Sequence, residues 1–76
     1  MDFLQVDCEI ALTFSSIALE TNDQGKKIRT TRTARKAYDS IMRLRKNIEF
    51  TEAERQKLDA NLQRLKDELQ RLGERL

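Results

Sequence analysis

Along the last third of the chain, Leu58, Leu62, Leu65, Leu69, Leu72 and Leu76 recur at alternating steps of four and three. That alternation is the a/d stripe of a helix that lays one apolar seam against neighbouring helices. Ahead of it, Thr51-Glu52-Ala53-Glu54 is a capping box: Thr51 is placed to accept from the backbone N–H of residue 54, and Glu54 to reach back. Glu52 and Glu54 also put negative charge at the positive end of the helix dipole. Gly73 supplies the left-handed residue that closes such a helix. The pattern predicts a helix over about 51–73, with Phe50 just outside the cap as a plug for the end of the core. Two other apolar helices lie in the same chain, and Arg55 interrupts the a positions one heptad before Leu62. The seam is therefore expected to pack within the chain and not as a zipper between chains.

Upstream, Phe3, Val6, Ile10, Phe14 and Ile17 recur at helical spacing, widened by Leu4, Ala11 and Ala18. They predict a first helix over about 2–20, with Asp2 as N-cap and Gln5 completing a partial capping box. Cys8, Leu12 and Leu19 form a second apolar line, about 100–200° around the helix from the first. A helix apolar on two sides is usually sandwiched, and in a monomeric three-helix bundle that second line is expected to be partly exposed. Thr21-Asn22-Asp23-Gln24-Gly25 is the first break. Asn22 or Gly25 can take the left-handed closing position, and Asp23 can cap the next helix. Ala34, Ala37, Ile41, Leu44 and Ile48, broadened by Ile28, Tyr38 and Met42, predict a second helix over about 23–48. So wide a face suits the central helix of a bundle. Thr30, Thr31 and Thr33 weaken the opening of this helix and leave Thr33 as an alternative cap. The expected fold is all-α, an antiparallel three-helix bundle in which the second and third helices form a hairpin closed by the first.

Size and composition agree with one domain over residues 1–76. A chain this short buries only about 60–65% of the surface that its unfolded form exposes, so either its helices pack well or it gains burial by self-association. Pro is absent, Gly occurs twice and 37% of residues are charged, a balance that points to helices and away from disorder or a β class. The lone Cys8 excludes an intramolecular disulfide and suggests a reducing compartment. No apolar run approaches the ~20 residues of a membrane span, and Met1-Asp2-Phe3-Leu4 lacks a basic leader region. The expected location is the cytoplasm.

Enzymatic readings find little to stand on. With no His, the chain offers neither a His-based triad nor the Glu-x-x-His motif of di-metal bundles. It has no four-ligand Cys/His set for zinc and no glycine loop for a phosphate. A non-enzyme without metal or cofactor is expected. Tyr38 reads as core with its hydroxyl at the rim. Cys8 reads as a small buried hydrophobe and not as a nucleophile, since Asp7 and Glu9 beside it disfavour the thiolate.

Charge changes the picture more. The net charge is +2, but residues 1–22 carry −4, residues 23–49 carry +6, and residues 50–76 carry six charges of each sign. The acidic first segment and the basic second one are expected to be each other's partners. Arg29, Arg32, Lys36, Arg43 and Lys46 fall on the face of the second helix opposite Ile41 and Ile48, with Asp39 interrupting them. This ridge reads either as a solvated face balancing the first helix or as a phosphate-contacting stripe for nucleic acid. No aromatic residue interleaves the bases to stack on nucleotides. The line Cys8, Leu12 and Leu19 also has two readings: scattered exposed apolar residues, or a contact for a second copy or a partner helix.

Ala34-Arg35-Lys36-Ala37-Tyr38-Asp39, followed by Phe50-Thr51-Glu52-Ala53-Glu54 and the leucine seam, resembles small bacterial three-helix proteins of unassigned function. The likeness covers residues 10–72 or so. Ala34, Tyr38 and Ile41 also give the second helix a distant similarity to three-helix modules of the tetratricopeptide and microtubule-interacting-and-trafficking kind. The Trp and the Leu-Gly pair at their tetratricopeptide motif positions, and the terminating Pro, are missing here. The resemblance implies helix-mediated binding and carries over no site residue. The expected function is a non-enzymatic interaction or self-association module, with a homodimer through the first helix as one form of it. The alternative is a nucleic-acid accessory protein using the basic ridge.

Overall fold

The computed structural model describes the backbone of residues 2–76 and the side chains of residues 4–76. It is all-α: α1 spans Asp2–Glu20, α2 spans Gln24–Leu44 and runs into a single 3-10 turn at Arg45–Asn47, and α3 spans Glu52–Arg71. The caps explain these boundaries. Asp23 accepts from the N–H of Lys26 at 3.1 Å and starts α2. Neither Asn22 nor Gly25 is left-handed, contrary to expectation; Gly25 already lies in the first turn of α2. Thr33 is no cap either. Its hydroxyl donates to the Arg29 carbonyl at 3.0 Å, as that of Thr30 does to Lys26 at 2.8 Å, so both threonines satisfy themselves inside the helix. The capping role expected of Asp2 and the core role of Phe3 lie outside the described side chains.

Both ends of α3 are closed. Thr51 accepts from the N–H of Glu54 at 3.2 Å while the Glu54 carboxylate accepts from the N–H of Thr51 at 2.9 Å. At the other end Gly73 takes φ +95°, and the N–H groups of Gly73 and Glu74 donate to the carbonyls of Gln70 and Leu69, both at 3.0 Å. Those two bonds are the paired closure that a left-handed glycine permits.

Helix directions follow from the side chains that meet. Gln5 meets Asn61 and Ser15 meets Glu68, so α1 and α3 run parallel; Arg45 meets Asp59 and Arg35 meets Glu74, so α2 and α3 run antiparallel. The three form an up-down-up bundle 40 × 19 × 17 Å in extent. Its centre differs from expectation. α1 packs most extensively on α2, then on α3, while α2 and α3 touch sparingly. The central helix is therefore α1, and the expected α2–α3 hairpin is the weakest of the three pairings.

Small side chains explain why. Cys8, Ala11, Ser15 and Ala18 are wholly buried along one line of α1, and Ala34 is wholly buried on α2. Small residues bring helix axes toward the short end of the ~8–10 Å range seen for packed helices. Around that line sit Leu4, Leu12, Ile41, Leu58, Leu62, Leu65 and Leu69, with Phe14, Ala37, Tyr38, Met42, Ile48, Phe50 and Leu72 packed at its edges. The leucine seam of α3 is thus satisfied within the chain, except at Leu76, which is exposed. Leu44 is exposed too, although its spacing places it on the seam of α2.

Ala11→Leu should overfill this contact and cost about 1–3 kcal/mol of unfolding free energy. Urea denaturation followed by circular dichroism measures it; an unchanged midpoint would mean that α1 is not closely packed at Ala11.

Candidate interaction surfaces

The two apolar lines of α1 divide differently from expectation: of the first, Leu4, Ala11 and Ala18 are buried and Phe14 packs against the core as expected, but the second line is covered as well. Cys8 is wholly buried, Leu12 is 8% exposed and Leu19 is half-buried. The chain's own helices cover this line, so in this fold it is not a free surface for a second copy or a partner. The line expected to be core contributes the exposed side: Val6 is 48% and Ile10 49% exposed. Val6, Ile10, Thr13 and Ile17 follow at steps of four, three and four, with Thr13 exposed and Ile17 half-buried. At 100° per residue they occupy one sector of roughly 60° on the side of α1 away from Cys8, Ala11 and Ser15.

Apolar bulk marks Val6, Ile10 and Ile17 as core, but a second signal in the sequence places the inside elsewhere: Cys8, Ala11, Ser15 and Ala18 are small residues at steps of three, four and three. Such a line is what a helix needs where two neighbours approach closely. Ser15 disguised it by being polar. Its buried hydroxyl is satisfied by the Leu12 carbonyl at 3.0 Å and by the Glu68 carboxylate of α3, which also accepts from Arg64 Nε at 3.4 Å. Gln5, expected to complete a partial cap with Asp2, ties α1 to α3. It donates to the Glu54 carbonyl at 3.2 Å and accepts from Asn61 at 3.3 Å.

The edges of the exposed strip are acidic. Asp7 and Glu9 lie beside Val6 and Ile10, Glu20 ends the helix, and α1 contains no Lys or Arg. Asp7, Glu9 and Glu20 are exposed and form no ion pair among the described residues. The expected neutralisation of the acidic first helix by the basic second one is therefore absent there, because α1 turns its small apolar line toward α2 and leaves these acids in solvent. Toward α3 the strip borders a groove of about 510 Å³, where Glu9 and Glu20 stand opposite Lys57 and Arg64. Arg64 already pairs with Glu68, which leaves Lys57 as the groove's one cation without an ion-pair partner among the described residues, against both Glu9 and Glu20.

On α2, Arg29, Arg32, Lys36, Arg43 and Lys46 are all exposed, as expected of the ridge, and none has an ion-pair partner among the described residues. Asp39, which interrupts them in sequence, is held by Arg35 at 3.2 Å. The five cations fall within about 100° of one another around the helix. They reach along the outer face over roughly 25 Å at 1.5 Å per residue.

Burial shapes the chemistry of Cys8. Desolvation, helped by the nearby Glu9 carboxylate, pushes its thiol from an ordinary 9.0 up to about 11. Among the described residues, no group of three or more His, Cys, Asp or Glu could hold a metal ion, and no helix is long and apolar enough to cross a membrane.

Because folded Cys8 keeps its proton to higher pH than the unfolded chain, the associated stability is complete below about pH 9 and is lost as pH rises toward 11. Over that interval the wild type should lose roughly 2–3 kcal/mol more than Cys8→Ala, at about 1.4 kcal/mol per pKa unit. Denaturant titrations of both proteins across this pH range measure the difference; parallel curves would show that the thiol is accessible in the folded protein.

Comparison of the chain with protein-family models, curated proteins and solved structures gives no match.

Proposed function

We propose that the protein is a non-enzymatic interaction module whose contact surface is the outer face of α1, and that its partner is an amphipathic helix carrying Lys and Arg along the edges of its apolar stripe. One observation carries this reading: folding buries the small residues of α1 and leaves the aliphatic Val6 and Ile10 half-exposed. Aligned exposed apolar residues are the signature of a helix-docking face. The flanking acids choose the occupant. In a second copy the other apolar seams are covered, so self-association on this face sets α1 against α1 and brings Asp7 and Glu9 toward the same acids, with no Lys or Arg in either helix to relieve them. A basic-edged helix turns that repulsion into attraction.

The test uses a 21-residue Leu/Lys amphipathic peptide, a Leu/Glu peptide of the same pattern, and the wild-type chain. Fluorescence anisotropy should show saturable binding of the Leu/Lys peptide alone. Val6→Glu with Ile10→Glu should weaken it by roughly tenfold or more while helix content stays unchanged, because both sites are already half in water. Equal binding of both peptides, or binding indifferent to these substitutions, contradicts the reading; a concentration-dependent dimer in sedimentation equilibrium, lost in the same variant, would assign the face to a second copy. Leu12→Glu is not a usable variant, since it buries a charge in the core.

A second reading rests on a separate observation, the five exposed cations of the α2 ridge, none of them paired among the described residues. They suit a polyanion held through its phosphates without regard to sequence. Binding to single- or double-stranded nucleic acid should then be measurable below ~50–100 mM salt, where electrostatic binding is strongest. Log affinity should fall against log salt with a slope no steeper than about −4 to −5 for five contacts. Replacing Arg32, Lys36 and Arg43 with Glu should abolish it; a wild type that binds neither form at low salt rules the reading out.

A further inference from the structure

The end of the bundle where α2 begins and α3 finishes holds a cleft of about 380 Å³. That is within the ~300–1,000 Å³ typical of small-molecule sites. Its construction is specific. After Gly73 turns the chain, Arg35 draws the segment back onto α2: it donates to the Glu74 carboxylate at 3.2 Å and to the Arg75 carbonyl at 3.0 Å. With the segment so pinned, Leu72 and Thr31 line the cleft, together with Ile28, Lys27, Arg32 and Lys36. Arg35 and Glu74 satisfy each other, and Arg35 also holds Asp39, so neither carboxylate is left to neutralise the remaining cations.

Three features of the lining have no use within the fold. Lys27, Arg32 and Lys36 have no ion-pair partner among the described residues. Ile28 is 56% exposed, the most exposed large hydrophobic side chain of the described residues. Thr31 is 9% exposed and, unlike Thr30 and Thr33, returns no hydroxyl hydrogen bond to the turn before it. Cations, an unengaged hydroxyl and an apolar wall together complement a ligand with a compact anionic head and a short apolar body. Each part of such a ligand would gain in this cleft what it lacks in water: charge-assisted hydrogen bonds for the head and burial for the tail.

We propose that this cleft is a binding site for an organic anion, a phosphate monoester or carboxylate bearing a short alkyl or aryl group, held by Lys27, Arg32, Lys36 and Thr31 with its apolar part on Ile28 and Leu72. The site is separate from the α1 face. It shares Arg32 and Lys36 with the ridge but depends on Lys27 and Ile28, which the ridge does not.

The full chain titrated with octyl phosphate and with octanoate below their micellar concentrations, followed by amide shifts in NMR, should give saturable changes centred on Lys27, Ile28, Thr31 and Leu72. Inorganic phosphate and octanol should each bind roughly tenfold more weakly than the tighter of the two anions. Lys27→Gln with Lys36→Gln should weaken that anion by about tenfold, and Ile28→Ser by about threefold. Arg43→Gln with Lys46→Gln, on the same ridge outside the cleft, should change it by less than about twofold. Shifts that fail to saturate, an anion no tighter than inorganic phosphate, or equal weakening by the Arg43 and Lys46 pair would overturn the proposal in favour of diffuse electrostatic attraction.

Discussion

The close approach of α1 to its two neighbours is the constraint on which the rest of the molecule depends. Cys8, Ala11, Ser15 and Ala18 form a line with no side chain larger than a thiol, and all four are wholly buried. A helix with such a line can sit between two others at short distance, and the leucines of α3 and Ile41 of α2 then close over it. Choosing this face as the inside forces the opposite face outward. Val6 and Ile10 are exposed as a consequence of geometry, since one helix of ordinary width cannot bury both of its apolar sides in a bundle of only three.

The polar contacts reinforce the same placement. Ser15 sits in the middle of the small line, and its hydroxyl is held by the Leu12 carbonyl and the Glu68 carboxylate. Glu68 is itself mostly covered, with 12% of its side chain exposed. A buried hydroxyl or carboxylate without a partner is costly, so this pair favours one rotation of α1 over the alternative that would turn Val6 and Ile10 inward. Gln5 makes the same choice near the other end of the helix, bridging to the Glu54 carbonyl and Asn61. The inter-helix ion pairs, by contrast, join α2 to α3 and its C-terminal segment at half-exposed or exposed positions, where water screens them and each contributes little. They tune the contact of α2 with α3 without deciding the fold.

Much of the fold was legible before the structure. Three helices, their boundaries to within a few residues, the Asp23 and Thr51 caps, the Gly73 closure and the intramolecular use of the leucine seam all follow from local chemistry that tertiary packing did not override. What the sequence obscured was the rotation of α1 and therefore the identity of the central helix. Hydrophobic periodicity ranks faces by apolar bulk, which favoured Val6, Ile10 and Ile17 beside Phe14; helix crossings are also decided by smallness, which keeps Ala11 and Ala18 inside as expected and brings Cys8 and Ser15 in beside them. The candidate surfaces divided along the same boundary. The ridge from Arg29 to Lys46 was readable because charged residues declare their own exposure, whereas the interaction line at Cys8, Leu12 and Leu19 was misplaced because it depended on the rotation. The cleft at Lys27 and Ile28 had no sequence signal, since it exists only where Arg35 folds the segment after Gly73 back onto α2.

The most direct test of this account is the solvent accessibility of the α1 methyl groups, read by NMR relaxation with a soluble paramagnetic agent. The Val6 and Ile10 methyls should relax strongly, and those of Leu12, Leu58 and Leu65 should be protected to the level of the deepest core. Protected Val6 and Ile10 with strongly relaxed Leu12 would mean that α1 is rotated the other way, and the proposed contact face would fall with it.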